Sequence, residues 1–162
     1  MANGENKLVG IDKNFIFDAL IGLGAAIIFI TLSFINPIFG VIGIPSVAAS
    51  VAGNIGRFLI IVILAPIFEE IFFRDITLDL FDSKFKMPFF IAAILSAVLF
   101  SLFHFAAYGE SLSALSGSFI SAGLVGFSFA YVRKYTDSLM AVIVAHAALN
   151  YWILSKVALV IV

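Results

Sequence analysis

The 162-residue chain contains no cysteine. Disulfides, thiolate metal sites and a cysteine nucleophile are excluded, although the absence leaves the compartment open. Charge is scarce: Asp, Glu, Lys and Arg make up 12% of residues and the net charge is -1. A soluble domain carries about 25% charged residues, and a near-neutral chain is not built for a nucleic acid or another polyanion. The alternating segments of about ten residues that mark a membrane β-barrel are missing. So are internal repeats and low-complexity stretches. No inverted pair of short, broken helices points to a transporter, and no HExxH motif is present.

What fills the chain is hydrophobicity. The apolar fraction is 63% and the mean hydropathy +1.19. Several apolar runs reach the ~18 residues that mark a membrane-spanning helix. The reading is an all-α fold, a polytopic membrane helix bundle of about five spans. Residues 1–14 are a polar tail, and 15–35 the first span. That run is long for a signal peptide, and Asn36-Pro37-Ile38 offers no small-residue cleavage site. Residues 36–50, with two prolines and two glycines, read as a loop. One long helix is expected over 53–82, kinked at Pro66 because proline lacks a backbone donor. Spans over about 88–107, 112–134 and 138–160 follow, the last capped by Asp137 or Ser138. Ser118, Ala122 and Gly126 form a small-residue stripe for close helix contact.

The polar residues inside these runs are the exception that needs a reason. Ionisable groups in a membrane segment pair, face a wet cavity or do chemistry. They are Glu69, Glu70, Arg74, His104, His146 and Asn150. Glu70 and Arg74 are spaced i,i+4 with the acid first, the favourable orientation for an ion pair. Glu69 lies about 100° away around the helix and need not share that partner. Two neighbouring carboxylates disfavour double ionisation, which suits one of them to act as a general base near neutral pH. His146 and Asn150 share one helix face, as do Phe100 and His104, so Phe100 can shield or orient the imidazole. At 1.5 Å per residue, Glu69, His104, His146 and Asn150 lie about 20, 24, 12 and 18 Å from the end of the bundle where their helices turn. One cluster in the middle of the bilayer is therefore permitted. A single histidine in a packed helix is more often a satisfied core residue, and Asn150 alone reads as glue between helices. Asp75, Asp79 and Asp82 read as a solvated face, Glu110 as a loop charge, Asp18 as interfacial, and Arg57 and Lys156 as snorkelling anchors.

Three short motifs carry a family resemblance. Glu69-Glu70-Ile71-Phe72-Phe73-Arg74 resembles the EExxxR motif of the CPBP family, the CAAX protease and bacteriocin-processing intramembrane peptidases also called Abi. Phe100 to His104 resembles its FxxxH motif and His146 to Asn150 its HxxxN motif, in the same order. The resemblance assigns 1–50 to the tail, first helix and loop, and 51–162 to a four-helix catalytic core. It implies an endopeptidase for membrane-associated or hydrophobic peptides. CaaX-type removal of C-terminal residues from lipidated proteins and the maturation of, or immunity to, bacteriocin-like peptides both remain open. The expected catalytic residues are Glu69, His104, His146 and Asn150, with Glu70, Arg74 and Phe100 supporting them. Glu69 acts as base on a water also held by His104, while His146 and Asn150 donate to the oxyanion. No cofactor is favoured. The alternative is zinc on Glu69, His104 and His146 with water as the fourth ligand, a scheme in which Glu70 would serve as base while held by Arg74. The competing function is a non-catalytic immunity or scaffold protein in the membrane.

Orientation follows from the cations. Lys7, Lys13, Lys84, Lys86, Arg133 and Lys134 fall on one side of a five-span bundle, and only Arg57 and Lys156 near the other. The amino terminus and the 83–88 turn are predicted cytoplasmic in a multi-pass cell-membrane protein. The expected partners are a peptide or lipidated-protein substrate and the bilayer. Oligomeric state is not legible.

Overall fold

The computed structural model describes residues 15–35, 54–108 and 115–160. These residues form five helices and no strand, the helical membrane bundle that the hydropathy requires. We number them α1 (Phe15–Ile35), α2 (55–84), α3 (Phe89–Tyr108), α4 (Leu115–Thr136) and α5 (Leu139–Val160). The stretches Phe15–Leu32 and Phe89–Ala106 are long and apolar enough to cross a membrane. The polar tail, the 36–50 loop and Glu110 lie outside the described residues, as do the side chains of Ser118 and Lys156.

Each boundary has a local cause. The Asn54 side chain accepts from the Arg57 N–H at 3.1 Å and caps α2. Pro88 starts α3, its carbonyl taking the N–H groups of Ile91 and Ala92. Lys86 and Asp137 adopt left-handed φ of 53° and 51° in the turns before α3 and α5. Ser138, of the two expected candidates, caps α5, accepting from the Ala141 N–H at 3.2 Å.

The long helix α2 is a single element, as expected, with one added feature. It runs unbroken past Pro66, but its turns widen to π-helix over Ile60–Leu64, Ile71–Thr77 and Leu80–Lys84. The first follows from the proline. The Ala65 N–H bonds back five residues to the Ile60 carbonyl, so the Ile61 carbonyl would need a donor from residue 66, and proline has none. A donor must come from elsewhere, and α5 supplies it.

In lipid, burial of apolar surface gives helices little reason to associate, and close packing at small residues takes over. Two helix pairs dominate the packing: α1 against α5, and α3 against α4. On α1, a Cβ added at Gly22 would meet the carbonyl oxygen of Ala141 and lie 3.1 Å from the Val144 Cβ. On α4, a Cβ at Gly126 would lie 3.1 Å from Phe100 and 3.5 Å from Nη2 of Arg74. Because the obstacle at Gly22 is backbone, Gly22→Ala should destabilise the bundle by about 1–3 kcal/mol. A thermal midpoint in detergent equal to the parent's would show that α1 does not dock there.

Asp18, expected at the interface, gains a partner there. It is buried, and the Ser138 hydroxyl donates to it at 2.7 Å. It lies near the starts of the parallel helices α1 and α5, where the unsatisfied N–H groups favour a carboxylate.

Candidate active site

The site is built where α2, α3 and α5 face one another. Glu70 is fully buried, and its Oε2 lies 3.0 Å from Nε of Arg74. Arg74 is 2% exposed and donates through Nη1 to Ser96 Oγ at 3.3 Å, while Ser96 donates to the Phe73 carbonyl at 2.9 Å. The other Glu70 oxygen, Oε1, is 2.7 Å from Nδ1 of His146. The Glu70 carboxylate, beside the Arg74 guanidinium, accepts from the Nδ1–H of His146. His104 is fixed in the same tautomer, since its Nδ1 is 2.9 Å from the Phe100 carbonyl, which can only accept.

In the neutral form, imidazoles held in this way turn the Nε2 lone pair inward. The two nitrogens lie 3.6 Å (His104) and 3.7 Å (His146) from the same atom, Oε2 of Glu69. That oxygen is buried and makes no direct hydrogen bond among the described residues. These separations are too long for direct bonds and suit a shared third body between the three atoms. All three are acceptors, and a water has two protons to donate. Completing the set takes one further proton on an imidazole or the carboxylate, or a cation. The ligand atoms of Glu69, His104 and His146 lie within 4.8 Å of one another, so the donor set also fits a single zinc ion.

Phe100 sits beneath this triangle. Its ring centroid is 4.1 Å from that of His104 and 5.8 Å from that of His146, and the Arg74 guanidinium lies 4.9 Å from it. One aromatic ring thus spaces both imidazoles and the arginine. The structure therefore brings Glu69, Glu70, Arg74, Phe100, His104 and His146 together.

Asn150 has a different partner. Its Nδ2 donates to the Ile61 carbonyl at 3.0 Å, the acceptor that Pro66 and the widened turn leave unmet. The structure thus gives this amide the glue role, and the expected oxyanion contact is left to its second N–H. Ser96 was not singled out from the sequence. It lies on the stripe of Phe100 and His104, one turn earlier, and following that stripe back would have reached it.

The acidic stripe is more than a solvated face. Asp75 pairs with Arg133 at 3.6 Å, and Arg133 with Asp137 at 3.0 Å. These residues, with Asp79 and Asp82, line a cavity of about 560 Å³ between α2, α3 and α4, whose lining also includes Arg74.

The described helices form a membrane bundle that gathers a carboxylate and two imidazoles about one point, with a buried ion pair behind them, a donor set able to hold one water or one cation. Residues 51–152 match the family model described as Type II CAAX prenyl endopeptidase Rce1-like, and because the match covers more than half of the chain, the protein belongs to that family of membrane endopeptidases. No curated protein and no solved structure matches the chain.

Proposed function

We propose that this protein is an intramembrane endopeptidase that cleaves hydrophobic or lipidated peptide substrates with a water activated by Glu69. Either a CaaX-type prenylated C-terminus or a bacteriocin-like peptide meets the chemistry. The observation that carries the reading is the Oε2 of Glu69, which makes no direct hydrogen bond among the described residues and is faced by two imidazole nitrogens at 3.6 and 3.7 Å. Glu69 takes a proton from the water as the water oxygen attacks the scissile carbonyl, and returns that proton to the leaving amine as the C–N bond breaks. The imidazoles hold the water, and Glu70 keeps His146 in the tautomer that this requires. In its imidazolium form His146 can donate from Nε2 to the oxyanion, and the second N–H of Asn150 is the other candidate donor. One such donor contributes about 3–4 kcal/mol to the barrier in a dry site. Residues 51–162 form the catalytic core, and the 83–88 turn faces the cytoplasm.

A second reading is favoured by the three converging acceptors. Glu69, His104 and His146 would hold zinc, which when bound supplies a more acidic water at neutral pH. We expect cleavage to persist after chelation in a preparation shown by mass spectrometry to hold no zinc. Loss of activity on chelation with rescue by zinc would select the metal reading. No cleavage of any peptide by the folded chain, with or without zinc, would leave the non-catalytic immunity or scaffold reading.

A further inference from the structure

Each hydrolytic turnover consumes one water, and the water must reach a site surrounded by lipid. The surroundings of the catalytic triangle differ sharply on its two sides. Next to Glu69 and His104, the outward residues are Phe68, Phe72 and Phe103, which are 68%, 53% and 49% exposed. In a bilayer these rings meet hydrocarbon, where no water is available. A hydrophobic peptide can approach by that side; a supply of water cannot.

The opposite side is polar. The cavity of about 560 Å³ opens among Asp75, Asp79, Asp82, Arg133 and Lys134, at the end of the bundle that carries the 85–88 turn. A water occupies about 30 Å³ of liquid, so the cavity is roomy for a chain of them. Its walls stay polar because charges face each other across it. Arg133 stands between Asp75 and Asp137, while Lys134 rests 3.8 Å from the centre of the Phe89 ring. Arg74, which contributes to the lining, touches Glu70, and Glu70 touches His146. Two side chains in contact, Arg74 and Glu70, thus stand between the cavity and His146.

We propose that this cavity is the water inlet of the enzyme. Water enters at the 85–88 end, collects between the carboxylates of α2 and the cations of α4, and passes beside the Arg74 guanidinium to Glu69. The peptide reaches Glu69 and His104 from the apolar side. Water and peptide thus arrive by separate routes. The inference rests on the peptidase reading for its kinetic arm, and one measurement is independent of it.

The lack of native cysteine makes the test direct. In the full chain in detergent, Asp79→Cys is modified with methyl and then with benzyl methanethiosulfonate, and labelling is verified by mass spectrometry. The methyl-labelled form, which keeps a small side chain at 79, sets the reference rate. The benzyl form should lose at least tenfold in kcat with KM unchanged, whereas the same label on Phe85→Cys, outside the cavity lining, should have no effect. Undiminished kcat in fully benzylated protein would overturn the proposal, and so would a rise in KM alone, which would make the cavity a peptide site. Asp82→Cys serves in the same way should Asp79→Cys fold poorly. The independent arm uses Leu78→Cys, at a position that is 4% exposed yet lines the cavity. A small charged thiol reagent should modify it within about tenfold of the rate at Phe85→Cys, because thiolate chemistry needs water. A thiol that stays unreacted sinks the inlet whether or not cleavage is found; a reactive thiol with no cleavage by the parent protein sinks the peptidase reading instead.

Discussion

Glu69→Gln lowers kcat/KM for peptide cleavage by about a thousandfold, within the range that a positioned general base contributes, and leaves the fold intact. The two halves of this expectation have separate causes. Glutamine keeps the shape of glutamate but cannot take a proton from water. Stability survives because Oε2 of Glu69 has no direct hydrogen bond to lose. The new amide N–H can even donate toward the Nε2 atoms of His104 and His146, which lie 3.6 and 3.7 Å from that oxygen in the parent. The measurement is initial-rate kinetics on a peptide substrate beside a thermal melt followed by circular dichroism. A folded variant that keeps more than a tenth of parental activity removes Glu69 from the role of base. The scaffold reading fails in the opposite case, since packing alone gives no reason for an isosteric change to silence the protein.

Arg74→Met acts on the other glutamate, and here stability is the readout. Glu70 is fully buried, and its charge is held by Arg74 at 3.0 Å. Removing one member of such a pair leaves an uncompensated charge and costs about 3–5 kcal/mol. Neutralising the survivor should recover most of that, so Glu70→Gln/Arg74→Met is expected to be more stable than Arg74→Met alone. Arg74→Lys should not substitute, because an ammonium cannot reach Glu70 and Ser96 with a planar fork. The double variant then isolates function from folding. It lacks the carboxylate that fixes the Nδ1–H of His146, and should lose about 10–100-fold in kcat, the size typical of lost support behind an active-site histidine. A double variant no more stable than Arg74→Met would show that the pair is not the unit it appears in the structure. One with parental kcat would free His146 from any dependence on Glu70.

The spacing rules reached some of this architecture and missed other parts for physical reasons. Glu70 and Arg74 sit four apart on one helix, and their contact is set by helix geometry alone, so it was legible at once. The Phe100–His104 stacking is legible for the same reason, and continuing that stripe leads to Ser96. Asn150 was not legible in this way. Its partner depends on an unmet carbonyl at Ile61, created jointly by Pro66 and a widened turn on another helix. The partner of Asp18 was not legible because Ser138 stands 120 residues away. The acidic stripe of Asp75, Asp79 and Asp82 looked like a plain solvated face because Arg133, which answers Asp75, belongs to α4.

Amino-acid order alone settled that this is a bundle of apolar helices, where those helices begin and end to within a turn, and that a few ionisable groups stand inside apolar runs. These features follow from contacts within a few residues and from the free energy of placing each side chain in lipid. Three-dimensional packing decided which atoms meet: both imidazoles turned by their Nδ1 partners so that Nε2 faces one glutamate oxygen, the ring of Phe100 spacing them, and a polar cavity lined in part by Arg74. Those outcomes depend on how whole helices rotate and slide against each other. Small residues such as Gly22 and Gly126 and the widened turns of α2 set that freedom, which no spacing along the chain encodes.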